Sequence, residues 1–87
     1  MPITVTPASM QVFLELAEDA PNWSGTPPFW GTKETRGNLT QLKKAGLVQT
    51  NFSDGDTWVF FTRLGVQVAK DNGVNIDFVI EYGACAD

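Results

Sequence analysis

Asp54-Gly55 constrains this chain more than any other feature. It lies within Ser53-Asp54-Gly55-Asp56, between two runs rich in β-branched and aromatic residues, 47–52 and 57–62. An Asp-Gly pair readily takes the positive backbone angles of a two-residue hairpin turn, so the two runs are predicted to fold back as an antiparallel hairpin. The hairpin has helix signals on both sides. Upstream, Thr32 is a candidate N-cap and Gly46, just past Ala45, a candidate stop, which predicts a helix over 33–45. Downstream, Thr62 caps a further helix with Leu64, Val68 and Ala69 on its apolar side and Asn72-Gly73 as its exit.

Taking about 100° per residue along 33–45, Thr35, Leu39 and Leu42 fall on one face. Lys33, Gly37, Thr40, Gln41 and Lys44 then lie opposite, with Arg36 on the flank. Gly37 is out of place in a helix interior, where it costs about 1 kcal/mol relative to Ala. Either that surface approaches another backbone closely or the helix begins late.

The first third of the chain predicts another helix. Thr6-Pro7 reads as an N-cap with proline at the first helical position. Met10, Phe13, Leu14 and Ala17 follow at the spacing of one apolar stripe, and Pro21 ends the run. Before it, Ile3 and Val5 alternate with polar neighbours like a short strand. Between the two helices, the proline- and glycine-rich loop around Trp23, Phe29 and Trp30 allows one short turn of helix near Phe29. Its aromatics are expected in the core, with an exposed binding platform as the alternative. At the other end, Val74, Ile76, Phe78, Ile80 and Tyr82 alternate with mostly polar residues, which predicts a strand over 74–82 and a loose tail over 83–87.

The whole chain, 87 residues with 43% hydrophobic and 18% charged, is sized for a single domain over 1–87 with a small core. Its net charge of −4 conceals a partition. Residues 1–32 hold Glu15, Glu18 and Asp19 and no base, and residues 71–87 hold Asp71, Asp77, Glu81 and Asp87 and no base. All six bases, Lys33, Arg36, Lys43, Lys44, Arg63 and Lys70, lie in 33–70 beside Glu34, Asp54 and Asp56. A basic middle between acidic ends is what a polyanion-binding surface needs, and random placement of six bases would rarely produce it.

With no histidine and the single cysteine Cys85, one chain supplies neither a zinc site of Cys/His type nor an internal disulfide. The glycines of 25–37 do not match either phosphate-cradling fingerprint, so no cofactor is expected. Converging acid–base groups are scarce too, and the chain is not expected to be an enzyme. The N-terminus lacks a basic-then-apolar leader and no run approaches the roughly 18 apolar residues of a membrane span, so a cytoplasmic location is expected.

The order helix, loop, helix, Ala-Gly-Leu-Val, hairpin, then Thr62-Arg63-Leu64-Gly65 opening another helix resembles the winged helix-turn-helix superfamily of DNA-binding regulators. LKKAGLV, from Leu42 to Val48, looks like the end of that family's recognition helix. Thr62 to Gly65 is similar to the T-x-x-G of multiple-antibiotic-resistance type regulators. The likeness lies mainly in 33–70. It implies an α+β winged helix-turn-helix fold, with three helices, a hairpin wing tipped by 53–56 and a C-terminal strand. It further implies a small transcriptional regulator of phage or bacterial type. The helix around 33–45 would read the major groove of double-stranded DNA, with Lys33, Arg36, Gly37, Thr40, Gln41, Lys43, Lys44 and Arg63 as contact residues.

Two departures stand against the pattern. The family's second helix falls on the proline-rich 24–30, and the wing tip carries Asp54 and Asp56 where basic residues would suit phosphates. The alternative function is therefore a winged-helix protein-interaction module, a viral or accessory factor docking on a protein partner. The strand at 74–82 would pair with its own copy across a two-fold axis to give a homodimer, or internally with residues 3–5.

Overall fold

A computed structural model describes residues 5–86. Within them the chain is α+β, with four α-helices and a three-stranded antiparallel sheet. The sequence predicted three helices. Helix α1 (Pro7–Asp19) starts where Thr6 Oγ1 accepts the Ser9 N–H at 3.2 Å. It buries Phe13 and Ala17 as expected, but Ser9 and Leu16 complete the stripe, leaving Met10 and Leu14 half-buried at its edge. A turn of 3₁₀ helix, Ala20–Trp23, carries the chain past Pro21. Strand β1 (Pro28–Phe29), helix α2 (Lys33–Lys44), strands β2 (Val48–Ser53) and β3 (Asp56–Phe61) and helix α3 (Arg63–Asp71) follow. The last element is the short helix α4 (Phe78–Glu81).

The hairpin lies within one residue of its predicted bounds. Ser53 faces Asp56, and both turn residues are left-handed, Asp54 at φ 55° and Gly55 at φ 83°. These are the paired positive angles of a type I′ turn. The strand the sequence did not predict is β1, which adds to the free edge of β3 so that the sheet order is β1-β3-β2. Proline argued against a strand there. An edge position tolerates it, because the missing N–H faces away from the ladder, and the Pro27 carbonyl still accepts the Val59 N–H at 2.9 Å.

The core lies between the sheet and the three longer helices. Phe13 meets Phe61 edge-on, with ring centroids 5.7 Å apart, and Leu42, Val48, Val59, Val66, Ile76 and Val79 close around them. Helix α1 packs most extensively on α2. Among the described residues no helix is long and apolar enough to cross a membrane.

The T-x-x-G segment is a folding device. Thr62 Oγ1 donates to the carbonyls of Gly46 (2.6 Å) and Leu47 (3.1 Å) and accepts the Gly65 N–H at 3.0 Å. One side chain thereby caps α3 and ties it to the end of α2. A Cβ on Gly65 would fall on the Leu47 carbonyl oxygen, so only glycine lets α3 sit this close. That approach turns Gly65, Val66 and Ala69 inward and corrects the predicted apolar side, since Leu64 is left 52% exposed.

The C-terminal strand predicted over 74–82 is absent. Asn75 Oδ1 accepts the Asp77 N–H at 2.9 Å, a side-chain turn that bends the chain away from an extended path. Ile76 and Val79 are then buried three residues apart, at helical rather than strand spacing, while Ile80 and Tyr82 face outward. The expected two-fold pairing therefore has no strand to build on. Its internal alternative fails with it: Ile3 lies outside the described residues, and Val5 is not in a strand. The tail is not loose either. Ala84 and Ala86 donate N–H bonds to Val79 and Phe61 at 2.9 and 2.8 Å, and Asp87 lies outside the described residues.

Candidate functional site

Helix α2 is fixed at both ends and along one side. Thr32 Oγ1 accepts the Thr35 N–H at 3.4 Å, and Thr35 Oγ1 donates to the Thr32 carbonyl at 3.0 Å. At the other end, the Gly46 N–H reaches the Lys43 carbonyl (3.1 Å) and the Leu47 N–H reaches that of Leu42 (3.1 Å). With Gly46 at φ 81° this is a complete Schellman stop. Leu39 and Leu42 are buried in the core.

The side next to them is held by polar contacts to α1. Thr6 Oγ1 donates to Ser9 Oγ and Ser9 Oγ to Asn38 Oδ1, both at 3.1 Å, and the Thr6 N–H donates to Gln41 Oε1 at 2.8 Å. Gln41, expected to face DNA, thus holds the start of α1 instead. Ser9, buried beneath, was missed in the sequence, where a serine on an apolar helix face gives little sign that it bridges two helices.

Lys33, Arg36, Gly37, Thr40, Lys43 and Lys44 are all solvent-exposed along the remaining arc. Thr40 Oγ1 donates to the Arg36 carbonyl at 3.0 Å. Among the described residues the ion pair is Lys70 to Asp77 at 2.8 Å, so one base of the middle segment is matched by a C-terminal carboxylate. The four cations of α2 have no such partner there. Arg63 is exposed at the start of α3, next to Thr62, whose hydroxyl is bonded to the Gly46 carbonyl just past α2.

Beside the arc lies a groove of about 420 Å³. Arg36, Thr40 and Lys43 form one wall, one turn apart along α2, and Thr50, Phe52 and Thr57 form the other. The hairpin register explains the opening. Val48 with Phe61, Thr50 with Val59 and Phe52 with Thr57 share one face of the sheet. The core fills the Val48 end and stops before the tip, so Phe52 is 72% exposed. The strand alternation at 48, 50 and 52 was the available signal for this wall. At the tip, Asp54 is exposed, whereas Asp56 Oδ1 accepts the Trp30 indole N–H at 3.2 Å.

The aromatic loop divides. Trp23 and Phe29 are half-buried, while Trp30 stays 70% exposed. No protein-family model, curated protein or solved structure matches the chain.

Proposed function

We propose that this chain is a small DNA-binding protein of winged-helix type, in which α2 enters the major groove and the hairpin stands beside it as the wing. The carrying observation is the exposed arc of α2, where Lys33, Arg36, Lys43 and Lys44 project with no carboxylate partner among the described residues. Helix electrostatics accounts for only half of this set. Lys43 and Lys44 in the last turn suit the negative end of the helix dipole. Lys33 and Arg36 sit in the first turn, at the positive end, where a cation is disfavoured and a stability optimum would place acids. A polyanion docked on the face reverses that penalty.

Gly37 fits the same reading. It lies mid-helix with open space where a Cβ would be, so nothing among the described residues requires it. A backbone pressed against the helix from outside would. Arg36 is positioned to pair with a guanine edge, Thr40 to add a polar contact, and the lysines and Arg63 to neutralise phosphates. With three or four phosphates neutralised, the log-log dependence of affinity on salt has a slope of about −3 to −4.

This reading departs from the full family pattern. A strand and a 3₁₀ turn stand where a second reading-motif helix would be, and α1 braces α2 through Ser9 and Thr6. A second reading, a winged-helix module that docks on another protein, is favoured by the exposed Asp54 at the hairpin tip.

The test is an anisotropy titration of mixed-sequence duplex DNA at two salt concentrations, with wild type and with Lys33, Arg36 and Lys44 changed together to Ala. Salt-sensitive binding that falls in the variant supports the DNA reading. Equal and negligible binding by both proteins refutes it and leaves protein docking.

A further inference from the structure

A second groove, of about 310 Å³, lies between α1, the segment leaving β1 and the start of α2, where Gly31 and Thr35 line it. Val12, Glu15, Leu16 and Asp19 line it from α1, at the spacing of one helix face, and Trp30 forms its rim. Trp30 is unusual because it is both exposed and held. Its indole N–H is bonded to Asp56, and its ring meets Trp23 edge-on with centroids 5.7 Å apart at 87°. Trp23 is itself fixed by Asp19, whose Oδ2 accepts its indole N–H at 2.9 Å. An indole that merely failed to find the core would not need two orienting contacts.

The chemistry of the walls selects an occupant. Glu15 is exposed and has no hydrogen-bond or ion partner among the described residues, and residues 1–32 contain no Lys or Arg. A flat aromatic face beside an unmatched carboxylate over an apolar floor suits a cation on an aliphatic stem. Arginine fits better than lysine, because its planar guanidinium stacks on indole and forks to a carboxylate at the same time. The volume is at the bottom of the range of about 300–1,000 Å³ typical of ligand sites, which suits one side chain better than a cofactor.

We propose that this groove docks an arginine side chain displayed by a basic segment of a protein partner, with Trp30 stacking on the guanidinium and Glu15 pairing with it. The groove adjoins the one beside the basic arc, with which it shares Phe29 and Gly31, but none of its own lining residues is a base, and docking there does not require DNA.

The test titrates ¹⁵N-labelled protein with an unstructured Gly-Arg repeat peptide, and with matched peptides carrying lysine or the neutral isostere citrulline. The expected result is saturable shifts centred on the Trp30 indole N–H and the Gly31 and Thr35 amides, strongest for arginine and lost for citrulline. Glu15→Gln and Trp30→Leu should each weaken the arginine peptide by about three-fold or more, Glu15→Gln with thermal unfolding unchanged and Trp30→Leu with the amide spectrum of the folded protein retained. Either variant binding as wild type overturns the proposal. So do non-saturating shifts spread over Asp54, Asp71 and Glu81, and so do dilution-dependent shifts showing that a second copy fills the groove.

Discussion

The seam around Thr62 and the outer arc of α2 lie at opposite extremes of local optimisation. At the seam every group has a use: one hydroxyl serves two carbonyls and one N–H, and a missing Cβ admits a neighbouring carbonyl. On the arc, Lys33 and Arg36 oppose the helix dipole and Gly37 weakens the helix with no neighbour among the described residues to require it. The contrast separates residues placed for folding from residues that folding alone would have replaced. A site that violates local rules without internal compensation is where function is to be sought.

The sharpest way to break the comparison is at the seam. Gly65→Ala forces a methyl group into the Leu47 carbonyl and should cost about 3 kcal/mol or more, read as a large fall in the denaturation midpoint. Thr62→Val keeps the shape but removes the cap and leaves the Gly46 carbonyl short of a donor, whereas the Leu47 carbonyl keeps the Thr62 N–H at 3.1 Å. It should cost about 1–2 kcal/mol in a urea titration, most of it recovered in Thr62→Ser. On the arc the sign reverses. Gly37→Ala should stabilise by about 0.5–1 kcal/mol, measured by the same titration. Lys33→Glu should stabilise by about 0.3–1 kcal/mol at low salt and by less at high salt, seen as a rise in Tm.

Local chemistry made much of this legible in the sequence. Thr6, Thr32 and Thr62 cap the helices predicted for them, and Asp54-Gly55 turns the hairpin. The exposure of Lys33 and Lys44, with Arg36 on the flank, followed from helical periodicity, which left Lys43 unplaced. What was not legible depended on contacts distant in sequence. Pro28 forms a strand only because the edge of β3 is open to it, and Gln41 is bonded to Thr6 because the start of α1 lies within reach. Residues 74–82 alternate like a strand, yet an Asn75 side-chain bond bends the chain before any partner strand is met. Leu64 faces out because Gly65 must face in.

The central claim is that the α2 arc gives up helix stability to meet a polyanion. It is tested most directly by the affinity of a Lys33→Glu, Gly37→Ala double variant for mixed-sequence duplex DNA at low salt, with its unfolding midpoint as the control. The account predicts a better-folded protein that binds DNA more weakly than wild type. A stabilised variant that binds as tightly as wild type would contradict it.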